Sequence, residues 1–386
     1  MRSALWLFQT LFILLPVCGC GYYLLCLWSA RRFLRRPRTT PDPGFTPPVS
    51  ILKPLKGMDP EIYASLRSHC VQEYPEYEII FGVSEANDPA IASVEKLRRE
   101  FPQHPIELVA CPEILGGNVK VSNLIQMLPR ARYEYLLVND SDIRVETDYL
   151  RRVVAPLRDS KLGMVTCLYR GVAGGTLGSR LEALGISTDF CGGVLAAIQM
   201  EGGPHFGLGS TLVFRRADLQ SVGGFEALVD YLADDYQLGQ RLSEKGLEGF
   251  LSEVVVDTFL PAYSLRGFFD HQLRWARSVR DSRGWGYLGV ALTFGLPWAL
   301  LELVVGRGAS WVWGVLGFTL ALRMVMAWVV GVRVAKDWQV LRWFWLIPLR
   351  DVAALFIWAA GYLGTTVMWR GERFNLKQGK LAKITT

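Results

Sequence analysis

Apolar residues crowd the two ends of the chain and thin out between them, and the regions differ in period. A mainly apolar run over residues 5–27 matches the ~20 residues that cross a hydrocarbon core and predicts one spanning helix. Three more runs, 287–305, 311–332 and 343–369, are separated by short stretches holding Arg307, Arg333, Lys336 and Arg342 and predict three further membrane segments. In the middle, short β-rich runs at 49–52, 78–83 and 106–110 alternate with helical patterns at 61–71, 90–101 and 119–127. A last buried run, 135–138, leads straight into Asn139-Asp140-Ser141-Asp142. This alternation is the βαβ signature of an α/β domain with a mostly parallel sheet. Residues 265–280 draw as a helix with Leu265, Phe268, Phe269, Leu273 and Ala276 on one side and Arg266, Arg274, Arg277 and Arg280 mostly elsewhere, the pattern of a basic interfacial helix.

These patterns divide the chain into a transmembrane anchor (1–30), a basic, proline-rich linker (31–48), an α/β domain (49–260), an interfacial helix (261–285), C-terminal membrane helices (286–370) and a basic tail (371–386). The first run is long for a cleaved signal peptide; only Arg2 precedes it, and Arg31, Arg32, Arg35, Arg36 and Arg38 follow it. Arginines on that flank place the α/β domain in the cytoplasm. If all three C-terminal runs span, the tail falls on the opposite side, against the charge of Arg370, Arg373, Lys377, Lys380 and Lys383. Arg350 and Asp351 interrupt the last run, so one resolution is an interfacial or re-entrant helix there, with the two charges paired or facing protein; a third full span is the other.

Composition strengthens the membrane reading: 51% of the 386 residues are hydrophobic and 13 are tryptophan. The net charge of +6 follows from arginines flanking the apolar runs, so no nucleic-acid partner is expected. The seven cysteines show neither a disulfide framework nor a zinc spacing and are expected to be small buried hydrophobes.

The chemistry is expected in the α/β domain. Ligands of open α/β sheets bind beyond the carboxyl ends of the strands, and Lys53, then 84–88 with Glu85 and Asp88, then Asp140 and Asp142 each follow a predicted strand. Any one of these is an ordinary turn residue; the set is more than that. Asp140 and Asp142 stand too close to ionise comfortably without a counter-charge, and a hard divalent cation, Mg2+ or Mn2+, supplies it while also binding substrate phosphate. Asp234 and Asp235 open a helix, as caps or as a general base beside a site.

Seven pieces in order, Pro54-Leu55-Lys56-Gly57, Asn87-Asp88-Pro89-Ala90, Asn118-Val119-Lys120 with Asn123, Asp140-Ser141-Asp142, Asp234-Asp235-Tyr236, Arg274-Trp275 and Trp369-Arg370, make the chain resemble family 2 or 21 glycosyltransferases of the ceramide glucosyltransferase type over nearly its whole length. The resemblance implies a GT-A fold, a UDP-sugar donor and a membrane lipid acceptor. It implies that Asp88 helps hold the uridine, that Asp140 and Asp142 hold the metal and diphosphate, and that Asp235, beside Asp234, is the catalytic base. Lys53, Glu85, Lys120, Arg274 and Trp275 complete the expected donor set. Arg274 and Trp275 match the end of the family's Q/R-x-x-R-W motif, whose first position here is His271, a departure. Around 139–145 and 149–157 the chain is also similar to bacterial hopanoid-biosynthesis glycosyltransferases, which implies N-acetylglucosamine transfer to bacteriohopanetetrol at the bacterial inner membrane. Glucosyl transfer to ceramide, a processive polysaccharide synthase, and a non-enzymatic transporter or scaffold are the alternatives. The few membrane segments argue against a polymer channel, and acidic residues gathered outside those segments argue against a transporter.

Overall fold

The computed structural model describes residues 2–37, 39, 44–369 and 372–384; Arg38, Arg370 and part of the proline-rich linker lie outside them. The chain forms two compact units, one of Pro37–Val172, Ile198–Pro261 and Gly379–Thr386, the other of Met1–Arg36, Ala173–Ala197 and Ala262–Gln378.

The first unit is built on eight strands: β1 (Val49–Leu55), β2 (Tyr77–Val83), β3 (Ile106–Ala110), β4 (Tyr135–Val138), β5 (Ile143–Arg144), β6 (Leu162–Val172), β7 (Leu212–Arg215) and β8 (Glu248–Phe259). They lie in the order β3-β2-β1-β4-β7-β6-β8-β5. The β3-β2-β1-β4 half is parallel, as the βαβ pattern predicts. Beyond β4 the sheet turns mixed: β7 runs antiparallel to both β4 and β6, and β5 antiparallel to β8. Strand alternation sends β1 and β2 side chains to two cores. Ile51, Ile79 and Phe81 join Leu66, Val94 and Val153 on one face, while Leu52 and Ile80 join Val121, Leu124 and Leu238 on the other. Each fully buried aliphatic side chain contributes about 2 kcal/mol, and burial on both faces explains why these strands are mainly apolar, the polar Ser50 and Glu78 being paired with each other. Of the expected basic tail, the part from Gly379 on belongs to this unit and the part before it to the other. Leu381 is buried and its N–H donates to Asp230 O at 2.7 Å.

The second unit holds the long helix Arg2–Arg35 and the C-terminal helices. Among the described residues four helices are long and apolar enough to cross a membrane: 13–35, 177–201, 310–334 and 344–361. The expected segment 287–305 is instead a pair of helices, Trp285–Thr293 and Gly295–Val305, bent by 65°. Gly295 crosses the N-terminal helix at Gly19, where an added Cβ would lie 2.1 Å from the Gly295 Cα. The helix over 177–201 departs from the expected continuous 49–260 domain, for the chain leaves that domain at Ala173 and returns at Ile198. Leu181 and Leu184 pack there with Phe268, Ala327 and Ile357. As expected, Arg350 and Asp351 are paired: Arg350 with Asp189 at 2.8 Å and Asp351 with Arg323 at 2.8 Å. In the basic helix, Leu265–Arg283, Arg266 is exposed, while two of the other arginines bind the chain itself. Arg277 donates to the carbonyls of Leu363 and Thr366 and Arg280 to those of Gly361 and Gly364, satisfying the last carbonyl of the helix Ile347–Gly361 and three in the segment that follows it.

Candidate active site

The turn after β4 is held from below. Asn139, fully buried, accepts from Lys53 Nζ at 2.7 Å, and its side-chain amide donates to His69 Nε2 at 2.9 Å. His69 Nδ1–H in turn donates to Ser65 O at 3.0 Å. Burial, then the Lys53 charge, holds His69 well below its usual range, so it is neutral and its tautomer is set by these partners. Lys53 Nζ also donates to the Asp140 carbonyl at 3.0 Å. The lysine expected to touch the donor is therefore a fully buried support beneath the Asp140–Asp142 turn. Burial pulls its ammonium down to about 7, against the opposing pull of Asp142 and Asp140. Ser141 Oγ donates to Asp59, and Thr258 Oγ1 to the Asp142 carboxylate.

Facing this turn is the start of the helix Val119–Met127. Asn118 caps it by accepting from Val121 N–H at 3.2 Å, and its amide donates to Tyr231 O at 2.8 Å and to Asp234 Oδ1 at 3.2 Å. One fully buried side chain thus locks the helix that carries Lys120 to the helix Asp234–Glu244. Lys120 Nζ lies 2.9 Å from Asp140 Oδ1 and 3.3 Å from Asp234 Oδ2. Burial alone would lower this ammonium, but Asp140, Asp234 and Asp235 together hold it above its ordinary value. Asp235 Oδ2 accepts from Gly209 N–H at 2.6 Å and Oδ1 from Tyr236 N–H at 2.8 Å. A Cβ on Gly209 would sit 3.0 Å from Asp140 Oδ2, 3.3 Å from Asp235 Oδ2 and 3.6 Å from Lys120 Nζ. The structure thus brings Asp140, Lys120 and Asp235 around one glycine, with Asp234 beside Lys120.

Burial, then the Asp234 charge, pushes the Asp235 carboxyl up to about 6 against the pull of Lys120. Burial, then Asp140, pushes Asp142 up to about 6. Among the described residues no three His, Cys, Asp or Glu side chains gather as a metal cluster. Asp140 and Asp142 nevertheless fit Mg2+ or Mn2+, which keep waters and take substrate phosphate oxygens in place of further protein ligands. The raised Asp142 carboxyl is what a buried pair of acids shows when a counter-charge is wanted.

Asp88 and Glu85 stand at the end of β2, separated from β4 by β1. The buried Asp88 carboxylate accepts from Gly57 N–H at 3.1 and 3.0 Å and from Ala90 N–H at 2.8 Å, tying the loop after β1 to the start of the helix Ala90–Glu100. Glu85 is exposed, and its carbonyl accepts from Asp88 N–H at 3.2 Å. Arg274 and Trp275 belong to the second unit. Arg274 Nη2 lies 2.9 Å from His271 Nε2, and the Trp275 ring 5.8 Å from that of Phe190. His69 and Thr258 carried no signal in the sequence, being single residues outside the motifs, and Asp59 stands two residues past the Pro54–Gly57 piece without being part of it. Gly209 had one, the Gly207-Leu208-Gly209 pattern just before β7.

The profile of glycosyl transferase family 21 matches residues 11–382. Ceramide glucosyltransferase 1 of Caenorhabditis elegans is 24% identical over 368 residues, covering 89% of this chain and 74% of that protein. Ceramide glucosyltransferase of Komagataella phaffii is 35% identical over 134 residues, 34% of this chain and 26% of its own. Among solved structures, a mannosyltransferase from Pyrobaculum calidifontis in complex with GDP-Man and Mn2+ superposes with a TM-score of 0.56 at 20% identity, over 92% of this chain and 99% of that one. At that identity the likeness speaks to the fold, which is of GT-A type.

Proposed function

Since the chain belongs to glycosyl transferase family 21 and is a hexosyltransferase, we propose that it moves N-acetylglucosamine from a UDP donor to a hydroxyl of bacteriohopanetetrol at the bacterial inner membrane, with inversion at the anomeric carbon. The observation that carries the single-displacement reading is Asp235. Its carboxylate is fixed at both oxygens by backbone N–H groups and is pushed up to about 6, near the working pH, where a general base is most effective. In the proposed step Asp235 takes the proton of the lipid hydroxyl as that oxygen bonds to the anomeric carbon, the glycosidic bond to phosphate breaks, and UDP departs with the electron pair. Lys120 holds its proton and keeps a fixed positive charge beside Asp140 and Asp234, the preorganised charge that favours a developing anion. A divalent cation bound by Asp140 and Asp142 would add positive charge to the leaving diphosphate. Asp88 is assigned to the uridine, and Arg274 to the diphosphate, by the motifs in which they stand.

The acceptor rests on the similarity to hopanoid-biosynthesis enzymes around 139–145 and 149–157. The names of the C. elegans and K. phaffii relatives favour a second reading, glucosyl transfer to ceramide. Arginines 31, 32, 35 and 36 after the first span support a cytoplasmic catalytic unit. The test is a radiolabel transfer assay on the purified full chain with UDP-N-acetylglucosamine or UDP-glucose, with and without Mn2+ or Mg2+, against bacteriohopanetetrol and ceramide. Metal-dependent N-acetylglucosamine labelling of bacteriohopanetetrol is the expected result. Labelling of ceramide from UDP-glucose alone would establish the second reading and refute the first.

A further inference from the structure

Glu182, in the helix Leu177–Leu184, is fully buried and has no place in the reaction described above. Its Oε1 lies 2.9 Å from His271 Nδ1, and both of its oxygens accept from Gln272 Nε2 at 3.0 Å. On the far side of the same imidazole, Nε2 lies 2.9 Å from Arg274 Nη2. An ionised carboxylate only accepts and a guanidinium only donates, so the ring's polarity is fixed from both ends: the proton sits on Nδ1, and the Nε2 lone pair faces Arg274. Aromatic neighbours pin the plane of the ring, Tyr263 stacking at 5.3 Å and 25° and Trp275 tilting against it at 5.5 Å. Glu182 is itself anchored. Gln272 Oε1 accepts from Arg350 Nη2 at 3.3 Å, and Arg350 Nη1 lies 2.8 Å from Asp189 Oδ2.

We propose that Glu182, acting through His271, is a positioning residue that aims the Arg274 guanidinium for sugar transfer, and that His271 is the bridge taking the place of the motif's usual Gln or Arg. The proposal deepens the reading above, since it rests on Arg274 serving the leaving diphosphate. A bridge here must donate toward Glu182 and accept from Arg274. Neutral histidine does both, and so does glutamine, through its amide N–H and carbonyl; alanine does neither. The departure at position 271 is thus a substitution that preserves the hydrogen-bond polarity a glutamine would supply.

The experiment compares Arg274→Ala, Glu182→Ala, His271→Ala, His271→Gln and the double variant Glu182→Ala/Arg274→Ala in the full chain, purified in detergent. Initial rates of sugar transfer give kcat and the donor KM, and UDP inhibition gives its inhibition constant. Loss of a fixed charge on the leaving group lowers kcat by roughly 10² to 10³, the expectation for Arg274→Ala. Loss of a residue that orients such a group costs about 10- to 100-fold, the expectation for Glu182→Ala and His271→Ala. All three should weaken UDP inhibition, a change that general loss of folded protein does not produce. His271→Gln should recover most of what His271→Ala loses, and Glu182→Ala should add less than about threefold on the Arg274→Ala background, as coupled residues do. An impaired Arg274→Ala beside an unimpaired Glu182→Ala overturns the relay alone. Full additivity in the double variant, or His271→Gln as poor as His271→Ala, overturns it too. Unchanged kcat and UDP inhibition in Arg274→Ala overturn the underlying assignment of Arg274, and the relay with it.

Discussion

Replacing Asp235 by asparagine removes the proposed base while changing little else, because the two side chains have nearly the same shape. One carboxylate oxygen becomes an NH2 group, and it must face either Gly209 N–H or Tyr236 N–H, which the aspartate oxygens accept from at 2.6 and 2.8 Å. One hydrogen bond is lost, at a cost of about 1–3 kcal/mol in stability, so the variant should remain folded. Losing general-base catalysis costs on the order of 10² to 10⁴ in turnover, and a 10³-fold loss corresponds to about 4 kcal/mol of activation free energy. Nucleotide binding, which falls to other residues, should survive within a few-fold. The assay is single-turnover transfer of radiolabelled sugar to lipid, with donor affinity from equilibrium binding of UDP-sugar. The native enzyme adds a pH signature. The base acts when deprotonated, and its carboxyl is pushed up to about 6, so log kcat should rise with pH below about 6 and level off above. The acid limb should flatten in Asp235→Asn. Turnover within threefold of native, or an unchanged acid limb in the variant, would refute the assignment.

Gly209→Ala should lower kcat at least tenfold with little change in Tm, since the new methyl group lies 3.0 Å from Asp140 Oδ2 and 3.3 Å from Asp235 Oδ2 and small displacements of reacting groups are costly; steady-state kinetics beside a melting curve checks it. Lys53→Met leaves Asn139 Oδ1 buried without its lysine donor, which costs about 1–3 kcal/mol and should weaken the response to added Mn2+ about 10- to 100-fold, read by metal titration of the transfer rate. Asp351→Asn strips Arg323, 1% exposed, of a bidentate partner and should destabilise the protein by about 3–5 kcal/mol. Thermal unfolding in detergent measures that loss, and the paired change Arg323→Met with Asp351→Leu should recover much of it.

What was legible in the sequence is local. The parallel half of the sheet showed itself because strands covered on both faces must be mainly apolar, and the Asp140–Asp142 turn and the Asp234–Asp235 pair could be placed because strand and helix ends are marked by the residues around them. Arg350 and Asp351 were expected to be paired, since a charge in an apolar run demands a partner; only the structure named Asp189 and Arg323. The mixed half of the sheet, with β7 set antiparallel between β4 and β6, was not readable, because strand order is a choice among distant segments that a local pattern does not encode. Lys53 looked like a ligand group from its place in a strand; that its side chain turns under the Asp140–Asp142 turn depends on Asn139 and the Asp140 carbonyl, both far off in the chain. The helix over 177–201 shows the limit most clearly. It is apolar enough to cross a membrane, yet it lies between strands of the α/β domain in sequence and carries Arg180, Glu182 and Asp189; in the structure it belongs to the membrane unit, where Glu182 meets His271 and Gln272, and Asp189 meets Arg323 and Arg350. A charge inside such a unit is far costlier without a partner than with one, and where the partner lies is a fact of tertiary structure alone.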